Sequence, residues 1–188
     1  MSKLAETVEA HFREIIEAQH VFFVATAPPG PDGHVNLSPK GCDTLRILDP
    51  QTVAWLDLHG SGIETVSHLR ADGRITLMFC RFEGPPKIVR IHGRGEAVEP
   101  EDPRFPALRA RLPKSSAVRS VIVVHVERVS DSCGYGVPLY AYQGERSQLA
   151  EWSERKGPDG LRDYREAENA RSIDGLPGLR SVSEPGDA

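Results

Sequence analysis

The chain has 188 residues, of which 39% are hydrophobic and 27% charged. At roughly 150 residues per domain this is one domain with an appendage, long enough to bury a core without disulfide or metal staples. Its 23 basic and 27 acidic side chains leave a net charge of -4, which argues against nucleic acid as a partner, because phosphate neutralisation needs clustered Lys and Arg. No apolar run approaches the roughly 18 residues of a membrane span, and Met1-Ser2-Lys3-Leu4-Ala5-Glu6 lacks the apolar core of a secretory signal. Cys42, Cys80 and Cys133 are widely spaced, form no CxxC pair and read as free thiols. The expectation is a cytoplasmic protein with no membrane span and no metal site.

In chain order, Leu4 to Gln19 has the spacing of an amphipathic helix, with Leu4, Val8, Phe12, Ile15 and Ile16 on one face. Val21 to Thr26 is a short apolar strand, ended by the dense turn signal Pro28-Pro29-Gly30-Pro31-Asp32-Gly33. His34 to Ser38 resumes as the second strand of a hairpin, with Asn36 and Ser38 on one face and Val35 and Leu37 on the other. Its polar face reads either as a binding face or as the solvated side of a sheet. Thr44 to Leu48 and Thr52 to Leu58 are further strands, then Ser61 to Arg70 a helix, then Arg74 to Phe79 another strand. Glu83-Gly84-Pro85-Pro86 is a hairpin connection or one wall of a cleft. It leads into a long strand, Lys87 to Val98. Asp102 to Leu112 is a short helix, and Ser120 to Ser130 is the most β-like stretch of all.

About six or seven strands and about three helices thus precede residue 130, and strands mostly follow strands through short turns. That favours antiparallel pairing and a mainly β barrel with flanking helices over βαβ units. The division expected is residues 1–130 as the barrel domain and 131–188 as an extension. The extension holds the loop Cys133-Gly134-Tyr135-Gly136-Val137-Pro138, then a charged helical stretch over 145–169 broken at Gly157-Pro158. Its last ten residues read as frayed.

The chain has no HExxH, GxSxG, GxGxxG or P-loop, which leaves zinc hydrolases, α/β-hydrolases and Rossmann enzymes without a foothold. Gly60-Ser61-Gly62-Ile63-Glu64 has two readings. It is a capping box joining Ser61 and Glu64, or a helix start that holds a phosphate. Glu64 argues against the second reading, because a carboxylate repels a phosphate. Lys40, after the strand-breaking Pro39, can point at an anion or lie in an exposed turn.

From Val21 to Val98 the order of motifs resembles the pyridoxamine 5'-phosphate oxidase-like family of FMN-binding split barrels. The resemblance rests on Phe22-Phe23-Val24-Ala25-Thr26, Gly33-His34-Val35-Asn36-Leu37-Ser38-Pro39-Lys40-Gly41, Thr52-Val53-Ala54-Trp55-Leu56-Asp57-Leu58 and Gly60-Ser61-Gly62-Ile63-Glu64-Thr65. Arg74-Ile75-Thr76-Leu77-Met78-Phe79, Glu83-Gly84-Pro85-Pro86 and Gly93-Arg94-Gly95 complete it. It implies a six-stranded antiparallel split β-barrel that forms a homodimer, with FMN between the subunits. It also implies flavin-mediated hydride transfer on a small-molecule substrate. Asn36, Leu37, Ser38, Pro39 and Lys40 would run along the flavin and Leu58 and His59 would lie beside it. Ser61, Glu64 and Thr65 would sit at the phosphate, and Lys87 would reach the ring.

Two departures qualify the resemblance. Glu64 and Thr65 stand where true oxidases carry a basic pair, so neutralisation falls to Lys40, Arg46 or a partner arginine. The C-terminal Trp- and Arg-containing segment of those oxidases is also missing, which argues against pyridoxine 5'-phosphate as substrate. The same fold with a deazaflavin or haem, or a flavin-binding protein without turnover, are the alternatives.

Overall fold

The computed structural model describes residues 4–182. Eight strands, β1 (Leu4–Ala5), β2 (Phe22–Thr26), β3 (Asn36–Lys40), β4 (Leu45–Asp49), β5 (Thr52–Leu58), β6 (Arg74–Cys80), β7 (Ile88–Val98) and β8 (Val118–Ser132), form one sheet. Its order is β3-β2-β6-β7-β8-β5-β4, with β1 added beside β8, and every pairing is antiparallel. The sheet has eight strands rather than six and does not close, because β3 and β4 remain its two edges. Among the described residues four helices accompany it: α1 (Ala10–Glu17), α2 (Glu64–Ala71), α3 (Phe105–Arg109) and α4 (Gln148–Glu168).

Two local readings of the sequence are corrected. The N-terminal helix does not begin at Leu4, because Leu4 and Ala5 pair with Ser130 and Val129 of β8 and the helix starts at Ala10. The capping box is absent, because the residue before α2 is Ile63 and no side chain caps it. The break at Gly157-Pro158 is present: Gly157 has φ 64° and ψ 177°, which kinks α4. The final residues are partly corrected. Leu179 is buried and Arg180 N–H donates to Glu99, while residues 183–188 lie outside the described part.

Side-chain alternation turns one face of the sheet toward an apolar core. Phe22 and Val24 of β2, Leu77 and Phe79 of β6, and Val89 and Ile91 of β7 face inward beside Trp55 of β5. Phe12, Ile15 and Ile16 of α1 fill one side, and Val66 and Leu69 of α2 another. A second cluster, Ala54, Leu56, Val98, Val121 and Val123, lies on the opposite face of β5 and β8.

Where β7 crosses β8 the register shifts at Gly93, and a Cβ there would lie 2.1 Å from the His125 carbonyl oxygen. The shift is a bulge that only glycine fits. Gly93→Ala is expected to cost about 1–3 kcal/mol through forced backbone movement, read as a lowered urea midpoint with an unchanged slope.

Candidate functional site

The alternation of β3 is inside out. Lys40 pairs with Phe22, Ser38 with Val24 and Asn36 with Thr26, so these three share the inward face of β2. Leu37 pairs with Ala25 and Pro39 with Phe23, on the outward face. Leu37 is 65% exposed and its neighbour Val35 74%. The polar face of this strand is therefore not its solvated side. The apolar row Leu37 and Pro39 continues across the outer sheet through Ala25 and Phe23 to Thr76 and Met78. An edge strand that turns its apolar side to water is the pattern of a surface that something covers.

The inward residues of β3 meet α2. Asn36 Nδ2 donates to Thr26 Oγ1 and to Thr65 Oγ1, each at 3.1 Å. Thr26 Oγ1 lies 3.0 Å from His68 Nδ1. Burial holds the His68 pKa below its ordinary value, with Glu64 and Asp174 opposing that shift. The ring is thus held neutral, and its Nδ1 shares a hydrogen bond with the Thr26 hydroxyl while Asn36 donates to Thr26. Ser38 Oγ is buried and has no hydrogen-bond partner among the described residues, a cost that a bound ligand would remove.

The loop before α2 is fixed by an arginine that the sequence reading did not single out. Arg119, buried at the start of β8, donates from Nε to Asp57 Oδ2 at 2.6 Å. Its other nitrogens donate to the Gly60 and Gly62 carbonyls and to Asn169 Oδ1. Asn169 Nδ2 donates in turn to the Gly60 and Ser61 carbonyls. Burial raises the Asp57 pKa, but Arg119, Lys40 and the Ser120 hydroxyl more than offset this and leave it below the ordinary carboxylate value. Lys40 is thereby coupled electrostatically to the same buried carboxylate. One sequence signal for this group was available: Asp57 interrupts an otherwise apolar strand, where an acid must find a partner.

Of the flanking residues, Leu58 is half-buried, Ser61 exposed and His59 buried. His59 Nδ1 has no partner among the described residues. Desolvation first, then the charges of Arg165 and Arg119, push its pKa down to about 4. Residues 169–176 lie across the start of α2. Ile173 N–H donates to Glu64 Oε1 at 3.3 Å, and Asp174 accepts the His34 N–H and binds its Nδ1. Arg46 is held by Asp43 at 2.7 and 2.8 Å, which withdraws it from the role of counter-charge.

The sequence-derived site residues therefore fall into two groups. Asn36 and Thr65 lie at the Thr26 end of β2 and Glu64 opens the helix that carries Thr65, while Ser61 precedes that helix in the loop held by Asn169. Lys40 lies at the Phe22 end, the end at which Cys80 pairs with Ile88 and Lys87 enters β7. Lys87 is paired there with Asp131 at 3.0 Å. Leu37 and Pro39 face outward, away from both groups.

Comparison with known proteins gives a consistent picture. The profile of the pyridoxamine 5'-phosphate oxidase family matches residues 8–133. The chain is 36% identical, over 94% of its own length and 78% of the relative's, to the pyridoxamine 5'-phosphate oxidase family protein ustO of Aspergillus flavus. Among solved structures it is similar to HupZ of Group A Streptococcus, with TM-score 0.50 and 22% identity over 64% of this chain and 90% of the other. It is also similar to a FAD-binding protein of Mesorhizobium loti, with TM-score 0.50 and 17% identity over 70% of this chain and 96% of the other. At these identities the structural likenesses establish the fold alone.

Proposed function

Because the chain belongs to the pyridoxamine 5'-phosphate oxidase family, we propose that it is a flavin-binding oxidoreductase that holds FMN along β3 in a homodimer. The observation that carries this reading is the reversal of β3, which puts Asn36, Ser38 and Lys40 inward and leaves Leu37 and Val35 exposed. A second subunit laid on the outward face would bury that apolar row. The likeness to a protein described as FAD-binding supports a flavin as the ligand class.

The donor set fits an elongated anion with a planar ring. Asn36 and Lys40 are separated by about 13 Å at ~3.3 Å per strand residue, a span comparable to FMN from phosphate to ring. Thr65 would meet the phosphate end with its hydroxyl, which Asn36 positions by donating to its oxygen, and the unpartnered Ser38 hydroxyl would meet the middle. Lys40 would place positive charge where the reduced ring carries negative charge, while Lys87 at the same end of the sheet is already paired with Asp131. Glu64 lowers the affinity of the phosphate end, and Arg46 is already engaged by Asp43, so the remaining counter-charge falls to the partner subunit. The flavin supplies hydride chemistry when bound. The protein's part is to orient it, keep water from one face and hold charge near the ring.

Titration with FMN tests this. Asn36→Leu and Thr65→Val are expected to weaken binding about tenfold or more, that is about 1.4 kcal/mol each, with unchanged melting cooperativity. Equal affinity in both variants would remove the β3–α2 assignment.

A further inference from the structure

The extension after β8 builds a cavity of its own on the outside of the barrel. Gly134 (φ 70°) lets the chain leave β8, since a Cβ there would lie 2.8 Å from the Lys87 nitrogen. The following arm crosses the turn between β6 and β7, where Tyr140 N–H donates to the Phe82 carbonyl at 3.0 Å and Tyr142 N–H to Glu83 Oε1 at 2.9 Å. Tyr142 then stacks on His20 at 3.6 Å and 8°, and its hydroxyl donates to Glu145. Glu145 also accepts Cys42 N–H at 3.1 Å. The arm is thus fastened to three separate parts of the barrel.

Beneath it lies a cavity of about 690 Å³, within the ~300–1,000 Å³ of small-molecule sites. Phe23 of β2 lines it, with Phe82 and Tyr140, whose rings sit 5.5 Å apart at 31°. Such faces suit a planar ring. The cation of the cavity is Arg81, whose guanidinium has an ion pair with Glu14 only at 4.0 Å, and Glu14 is 80% exposed. Glu83, the acid within the cavity, has one carboxylate oxygen engaged by the arm.

We propose that this cavity binds a small planar aromatic carboxylate, with its ring against Phe82 and Tyr140 and its carboxylate on Arg81. A single guanidinium beside Glu83 and Glu14 leaves no surplus positive charge for a phosphate dianion, and a monoanion is held by direct contact with Arg81. The arm that makes the cavity lies beyond residue 133, where the family profile ends. Binding here needs no bound flavin, but Phe23 also belongs to the outward row assigned to a second subunit, so the cavity is one that such a subunit would have to leave open.

Ligand-observed saturation-transfer NMR on the full chain without added flavin tests it, with benzoate, phenyl phosphate, benzyl alcohol and cyclohexanecarboxylate as probes. Benzoate is expected to bind best. Arg81→Gln is expected to weaken benzoate about tenfold and leave benzyl alcohol unchanged, while the exposed change Tyr140→Leu weakens both. Benzoate binding no better than cyclohexanecarboxylate, benzoate binding unaffected by Arg81→Gln, or tighter phenyl phosphate would each overturn the proposal. FMN titration of the same variants reads the flavin site separately, so the two readings can fail independently.

Discussion

Arg119→Met is expected to destabilise the fold by about 3–5 kcal/mol, because it strips a buried carboxylate of its counter-charge. Asp57 has no solvent exposure, and Arg119 donates to it while also tying down the Gly60 and Gly62 carbonyls. Methionine preserves much of the volume, so the loss reports electrostatics and hydrogen bonds rather than a cavity. Adding Asp57→Asn to Arg119→Met should recover part of the loss, since the unpaired charge is then gone. Urea unfolding of the two single variants and the double variant reads the effect. The folded pKa of Asp57 is depressed, so its contribution is present above the ordinary carboxylate value and is lost as pH falls through the folded one. Acid should therefore erode the wild type more steeply than the double variant.

His59 has the second large effect. Its pKa is about 4 in the folded chain against an ordinary 6.5, so between these values the unfolded chain binds a proton that the folded chain refuses. The stabilisation is complete above pH 6.5 and is lost as pH falls to 4, amounting to about 3 kcal/mol across that window. His59→Gln should flatten this slope without changing stability at pH 8 by a comparable amount. His68 and His92 are shifted in the same direction, so the difference between variant and wild type isolates His59. Parallel pH profiles for the two proteins would contradict a desolvated neutral imidazole beside Arg119.

Much of this architecture was legible in the sequence, for identifiable reasons. Strands β2, β5, β6 and β8 are apolar runs bounded by Gly, Pro and Asp, and the kink of α4 is written in Gly157-Pro158. The facing of β3 was not legible. Alternation shows that Asn36 and Ser38 share a face but not which face the core takes, and here the apolar face points outward. Local chemistry also misled at Ser61 and Glu64. Their spacing suits a reciprocal cap, but Glu64 is drawn instead to the amide of Ile173, 109 residues away. The Arg119 network was hidden for the same reason, because Asp57, Arg119 and Asn169 meet only once β5, β8 and the C-terminal segment are packed together. Leu4 and Val8 fit a helical period, but the β8 edge claims Leu4 and Ala5 for a strand pair.

The most direct test of the central claim is sedimentation velocity with FMN titrated into wild type and Leu37→Glu, following protein and flavin absorbance together. The expected result is a wild-type dimer carrying one FMN per subunit, and a Leu37→Glu monomer that has lost flavin affinity along with its partner. A wild-type monomer that binds no flavin, or a Leu37→Glu protein that stays dimeric with full flavin occupancy, would contradict the assignment of β3 to a flavin-bearing subunit interface.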